Sequence, residues 1–122
     1  MTSDAYERGM AVRREVLGDA HVSGAAGDAF TAPFQEFITK TAWGEVWARD
    51  GLDRRSRSMI TLALLAGLGR HEELAMHVRA AVRNGLTEAE IGEVLLHTAV
   101  YAGVPAANSA FAIARRVLAS DE

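Results

Sequence analysis

Apolar residues recur three and four positions apart along most of this chain, and no stretch keeps a strict polar–apolar alternation for long. That periodicity predicts helices and no sheet. The first helix is expected over residues 4–17, with Ser3 as its cap and Gly18 just past its end. Residues 18–32, GDAHVSGAAGDAFTA, are rich in Gly, Ala and Asp and read as a long loop, a length that usually means function or mobility. Pro33 opens a second helix reaching to about residue 49, and Asp50-Gly51 forms a turn. A third helix starts near Asp53 and ends around 67–69, and a fourth covers about 70–84 with Gly85 as terminator. Thr87-Glu88-Ala89-Glu90 is a capping box for a fifth helix reaching about 102. Gly103 ends it, and Pro105 begins a sixth that extends to about 119. The expected class is all-α, with about six helices.

Composition narrows the picture. At 122 residues the chain has room for one domain, taken as 1–122. Nearly half the residues are apolar, yet Ala and Gly dominate and aromatics are few, so each buried residue contributes little area. Several helices are apolar on more than one side, which predicts burial against further copies and hence a homo-oligomer. A net charge of −3 leaves no basic footprint for nucleic acid and no patch for a membrane surface. The N-terminal MTSDAYERGMAV lacks a signal-peptide pattern, and the longest apolar run, 59–69, is too short for a bilayer. A cytoplasmic protein is expected. With no cysteine, disulfides, thiolate metal sites and thiol redox chemistry are excluded.

The polar residues set among the apolar stripes carry the candidate chemistry. His77 shares its helix face with Leu74, Val78 and Ala81, at the edge of an apolar stripe where partial burial tunes an imidazole. A core histidine bonded to a carbonyl would fit the same position. Glu93, His97 and Tyr101 follow at four-residue steps, so the carboxylate can orient the ring one turn on, unless the column is an ordinary solvated stripe. Arg54, Arg55 and Arg57 crowd the first turn of the third helix, against its dipole, which points to carboxylate binding or to pairing with Asp50, Asp53 or another subunit. Arg57, deeper in the helix than Arg54, is the stronger anchor. Trp43 and Trp47 lie one turn apart, as core or interface anchors or as a pocket wall. Glu45, between them, is expected to be partly buried with a raised pKa. Asn108 is a possible amide donor, and His21 lies in the long loop facing solvent. No HxxxH or HExxH spacing, phosphate-cradling glycine loop or Gly-x-Ser-x-Gly occurs, so neither metal nor cofactor is expected.

The stretch LDRRSRSMITLALLAGLGRHEELAMHVRAAVRNGLTEAEIGEVLLHTAVYAGVPAANSAF, with RREVLGDAHV and AWGEVW before it, resembles the carboxymuconolactone decarboxylase family. The resemblance implies the helical fold shared with the alkylhydroperoxidase D-like proteins, and a homohexamer. In the related peroxidases a histidine following a Cys-x-x-Cys pair belongs to the proton relay. His77 matches it, while Arg70 and Glu73 stand at the cysteine positions. The implied reaction is cofactor-free decarboxylation of 4-carboxymuconolactone, a lactone dicarboxylate, in the protocatechuate branch of aromatic catabolism. The roles it implies are His77, Glu45 and His97 for proton transfer or carbonyl polarisation. Arg57, Arg54, Tyr101, Trp43, Trp47 and Asn108 would bind substrate. A related enzyme with another substrate and a non-enzymatic helical oligomer are the competing readings.

Overall fold

Every regular element among the described residues is helical. The structure is a computed structural model and describes residues 3–24 and 27–120. In place of six helices it has, among those residues, seven α-helices and one π-helical stretch. They group into two compact units, Met1–Arg54 and Arg55–Glu122.

In the first unit, helix α1 (Asp4–Leu17) keeps its expected bounds. The Ser3 hydroxyl accepts the Tyr6 N–H at 3.1 Å, and Gly18, at φ 95°, closes the other end. The expected loop 18–32 is not wholly irregular. A short helix, α2 (Asp19–Gly24), packs on α1 through the buried Val22. Six residues are too few for a periodic signal, and the helix is sustained by tertiary burial rather than by propensity. Asp28 and Thr31 then exchange backbone and side-chain hydrogen bonds at 3.1 Å, while residues 25–26 lie outside the described set. Helix α3 (Ala32–Ile38) has Pro33 in its first turn and runs directly into a π-helix (Thr39–Trp47). The expected single α-helix over 33–49 therefore changes its winding midway. Local departures of this kind often accompany functional positions. The π-helix lies along α1, with Gly9 facing the Thr39 carbonyl and Gly44 facing the Ala5 carbonyl. Arg8 Nε donates to the Gly44 carbonyl at 2.8 Å across the same contact.

The second unit is built from α4 (Arg54–Leu68), whose first residue still belongs to the first unit, and from α5 (His71–Arg83), α6 (Glu88–Ala102) and α7 (Val104–Leu118). All four start and stop within a residue or two of their expected limits. The capping box forms as expected: Glu90 N–H donates to the Thr87 hydroxyl at 3.1 Å, and Thr87 N–H donates to the Glu90 carboxylate at 2.9 Å. Leu62, Leu74, Val78, Ile91, Leu95 and Ile113 fill the centre. Each such side chain contributes about 1.5–3 kcal/mol on burial. Arg55 ties the start of α4 to the α5–α6 turn, donating to the Gly85 carbonyl and to the Glu90 carboxylate. No described helix is long and apolar enough to cross a membrane.

Candidate functional site

His77 sits in the middle of α5, whose apolar face carries Leu74, Val78 and Ala81 into the core. The imidazole is half-buried, and its Nδ1 is shut off from solvent. Arg57, one turn into α4, is likewise half-buried with its Nε sealed. These two are the partly desolvated members of the predicted set in the second unit. That environment strengthens any charge or hydrogen bond they offer to a ligand.

His97 occupies a different setting. It lines a groove of about 550 Å³ between α4 and α6, whose walls are Met59, Ile60, Ala63, Ala89, Glu90, Glu93 and Val94. The groove is mostly apolar, and its carboxylates, Glu90 and Glu93, oppose a dianionic ligand. Neither His77 nor Arg57 contributes to its wall. The column Glu93, His97, Tyr101 is only half as expected. The His97 and Tyr101 rings stack with centroids 5.3 Å apart and 26° between planes. Among the described residues no ion pair joins Glu93 to His97; both are solvent-exposed where they line the groove, and holding a pair together there gains little. Tyr101 is 82% exposed, and Asn108 is exposed on α7.

The arginine cluster divides by partner. Arg54 pairs with Glu15 at 2.7 Å, so its counter-charge comes from α1 rather than from Asp50 or Asp53. Arg55 is committed to Glu90 and Gly85. It holds the Glu90 carboxyl down to about 2, with the Thr87 N–H as the next contributor. Arg57 is the member of the cluster whose Nε is sealed from solvent. Ser58, buried beside it in sequence, accepts a hydrogen bond from Asn84 at 3.0 Å, a contact internal to the second unit.

In the first unit, Trp43 is buried and Trp47 half-buried, with ring centroids 5.1 Å apart at 32°. Trp43 belongs to the buried core of the first unit, and Trp47 keeps part of its ring exposed. Glu45 departs from expectation. It is exposed, not partly buried, and lines a shallow depression with Arg8, Gly44, Ala48 and Arg49. The reason is angular: the side that buries Trp43 and Gly44 leaves the next residue facing outward. His21 is exposed as expected, although on helix α2 instead of a loop.

Arg13 stands outside the residues that motif and spacing single out. It is 6% exposed, and its two terminal nitrogens donate to Thr39 Oγ1 at 3.1 Å and Gln35 Oε1 at 3.0 Å. Burial lowers its pKa from the ordinary guanidinium value. The available signal was its place between the apolar Val12 and Val16 on the buried side of α1.

The carboxymuconolactone decarboxylase family model matches residues 32–116 and so runs through both units. A 4-carboxymuconolactone decarboxylase from Acinetobacter baylyi is 48% identical over 114 residues, 92% of this chain and 85% of that relative. A nitrosuccinic acid decarboxylase from Metarhizium robertsii is 45% identical over 115 residues, 93% of this chain and 80% of the relative. A 4-carboxymuconolactone decarboxylase from Pseudomonas putida is 50% identical over 42 residues, 33% of this chain and 88% of that relative.

Proposed function

The chain belongs to the carboxymuconolactone decarboxylase family, and from that premise we propose that it is a carboxy-lyase converting 4-carboxymuconolactone to 3-oxoadipate enol-lactone and CO2. The observation that carries this reading is the 48% identity to a 4-carboxymuconolactone decarboxylase across nearly the whole chain. The family match spanning both units supports one functional domain.

The substrate carries a carboxylate on the ring carbon next to the ring oxygen, together with an acetate arm. As CO2 departs, the electron pair of the breaking C–C bond moves through the ring double bond into the lactone carbonyl, giving an extended enolate. A proton delivered to the carbon beside that carbonyl then yields the enol-lactone. The electron sink lies in the substrate itself, so the protein must supply hydrogen-bond donors at the carbonyl oxygen, a placed acid and shelter from water.

His77, partly desolvated and on a rigid helix, is the proton donor or carbonyl polariser. Arg57 anchors the acetate arm, where a tight grip does not stabilise the leaving carboxylate. His97, stacked on Tyr101, has a supporting role. Glu45 is an alternative acid. Arg54, Trp43, Trp47 and Asn108 complete the substrate-binding set, with Arg54 reaching substrate only by leaving Glu15. The enzyme acts as a cytoplasmic homohexamer. Ile60, Leu64 and Leu68, exposed at four-residue intervals on α4, support self-association.

The 45% identity to a nitrosuccinic acid decarboxylase supports a second reading in which the substrate is an open-chain acid. A nitro group beside the departing carboxylate accepts the same electron pair. Incubating purified protein with freshly generated 4-carboxymuconolactone and, separately, with nitrosuccinate decides between them. CO2 with the enol-lactone is the expected result, whereas turnover of nitrosuccinate alone would replace the substrate assignment. Inertness toward both would end the decarboxylase reading.

A further inference from the structure

Arg13 is a buried cation that pairs with no carboxylate among the described residues. A guanidinium has five N–H donors and stays charged inside proteins. Two of those donors meet the neutral oxygens of Thr39 and Gln35. Nε is sealed from solvent with no acceptor among the described residues. No described carboxylate lies within ion-pair distance of Arg13, and the one on neighbouring α2, Asp19, pairs with Arg14 at 3.5 Å. Leaving a buried charge uncompensated is among the costliest arrangements a fold can hold.

The surroundings of Arg13 are those of a binding site. It lines a pocket of about 360 Å³ within the first unit, together with Tyr6, Met10, Arg14, Val22, Ser23, Gln35 and Thr39. This volume lies in the range of small-molecule pockets. Two arginines and the hydroxyls of Tyr6 and Ser23 are potential donors, no acidic residue among the described ones lines the wall, and Met10 and Val22 supply apolar surface. Arg13, Arg14 and Val22 all come from RREVLGDAHV, a stretch in which the decarboxylase reading places no catalytic or substrate-binding residue.

We propose that this pocket binds the carboxylate of a small organic acid, with Arg13 as the buried anchor and Arg14 as a second cation at the surface. A carboxylate matches the planar guanidinium fork, and the apolar wall accommodates a short carbon chain. The proposal goes beyond the decarboxylase reading, because its test needs no turnover.

The probe is succinate, titrated calorimetrically into the full-length protein, with amide chemical shifts followed in parallel. Saturable binding is expected, with shifts concentrated at residues 6, 13, 14, 22, 23, 35 and 39. Arg13→Lys should weaken it at least tenfold while helicity is retained. Arg14→Gln and Ser23→Ala, both at exposed positions, should weaken it several-fold and keep the test open if Arg13→Lys does not fold. Absence of succinate binding up to tens of millimolar would overturn the proposal, as would unchanged affinity in Arg14→Gln and Ser23→Ala together, or shifts confined to residues 55–120. Where turnover is measurable, succinate competing with substrate assigns the carboxylate to the substrate itself. Inhibition or activation that is not competitive assigns it to a separate acid.

Discussion

Replacing Gly9 with alanine should loosen the packing of α1 on the π-helix more than any other single-methyl addition in the first unit. A Cβ built on Gly9 would lie 1.9 Å from the Thr39 carbonyl oxygen and 2.8 Å from the Gly44 nitrogen. Ordinary contact begins at 3.4 Å, so the two backbones must separate by about 3.4 − 1.9 = 1.5 Å. Both obstacles are main-chain atoms and cannot swing aside as a side chain would. Overpacking of this kind costs about 1–3 kcal/mol and sometimes more, and backbone obstacles put it at the upper end. Separation also strains the 2.8 Å bond from Arg8 to the Gly44 carbonyl, adding roughly 1 kcal/mol after allowance for its partial exposure. The better helix propensity of alanine returns about 1 kcal/mol. The net is about 3 kcal/mol, or roughly 10–15 °C in Tm for a chain of this size. Thermal melts at 222 nm, at equal protomer concentration, measure it. Gly92→Ala is the control of opposite sign: none of the described residues outside its own turn comes within 4 Å of its added Cβ, so it should gain about 0.5–1 kcal/mol. A Gly9→Ala protein melting at or above wild type would refute the close-packing argument.

Other outcomes follow from the same contacts. Glu90→Gln keeps the capping box and removes the charge facing Arg55. Because the Glu90 carboxyl is lowered from 4.5 to about 2, its contribution is complete above about 4.5 and fades as pH falls toward 2. Urea unfolding should therefore separate wild type from Glu90→Gln at pH 7 and narrow the gap progressively from about pH 4.5 down to about 2, and a gap that widens with acid would contradict the assignment. Thr87→Ala, losing the cap on the Glu90 N–H, should cost about 1 kcal/mol in the same assay; an unchanged midpoint would show the box to be dispensable. His77→Gln should lower kcat for 4-carboxymuconolactone by about 10²–10⁴ with assembly intact, and normal turnover in a folded variant would remove His77 from the chemistry. Arg57→Lys should raise KM more than it lowers kcat, since it loosens a non-reacting arm. The reverse split would move Arg57 to the reacting carboxylate.

Local chemistry made much of this architecture readable. Ser3 and Gly18 bracket α1, Thr87 and Glu90 start α6, and Gly103 with Pro105 separates α6 from α7. Each acts through its own backbone within a turn, so residue identity alone sets the boundary. Helix α2 and the π-winding after Ile38 were not readable in this way. A six-residue helix has no periodic signature, and nine residues span too few turns for an apolar pattern to distinguish one winding from another. Among the candidate residues, the half-burial of His77 followed from the stripe of Leu74, Val78 and Ala81. The exposure of Glu45 did not follow from its tryptophan neighbours, because adjacent residues on a helix face different directions.

The helical class, the ends of α1 and of α4 to α7, and the exclusion of thiol chemistry were legible from residue identities, all being properties of single residues and their near neighbours. Which charges meet is instead set by the packed helices: Arg54 with Glu15, Arg55 with Glu90, and Arg13 with two neutral oxygens inside a pocket. Charge partners are chosen by the approach of helices 20 to 40 residues apart in sequence, and no local pattern encodes that approach.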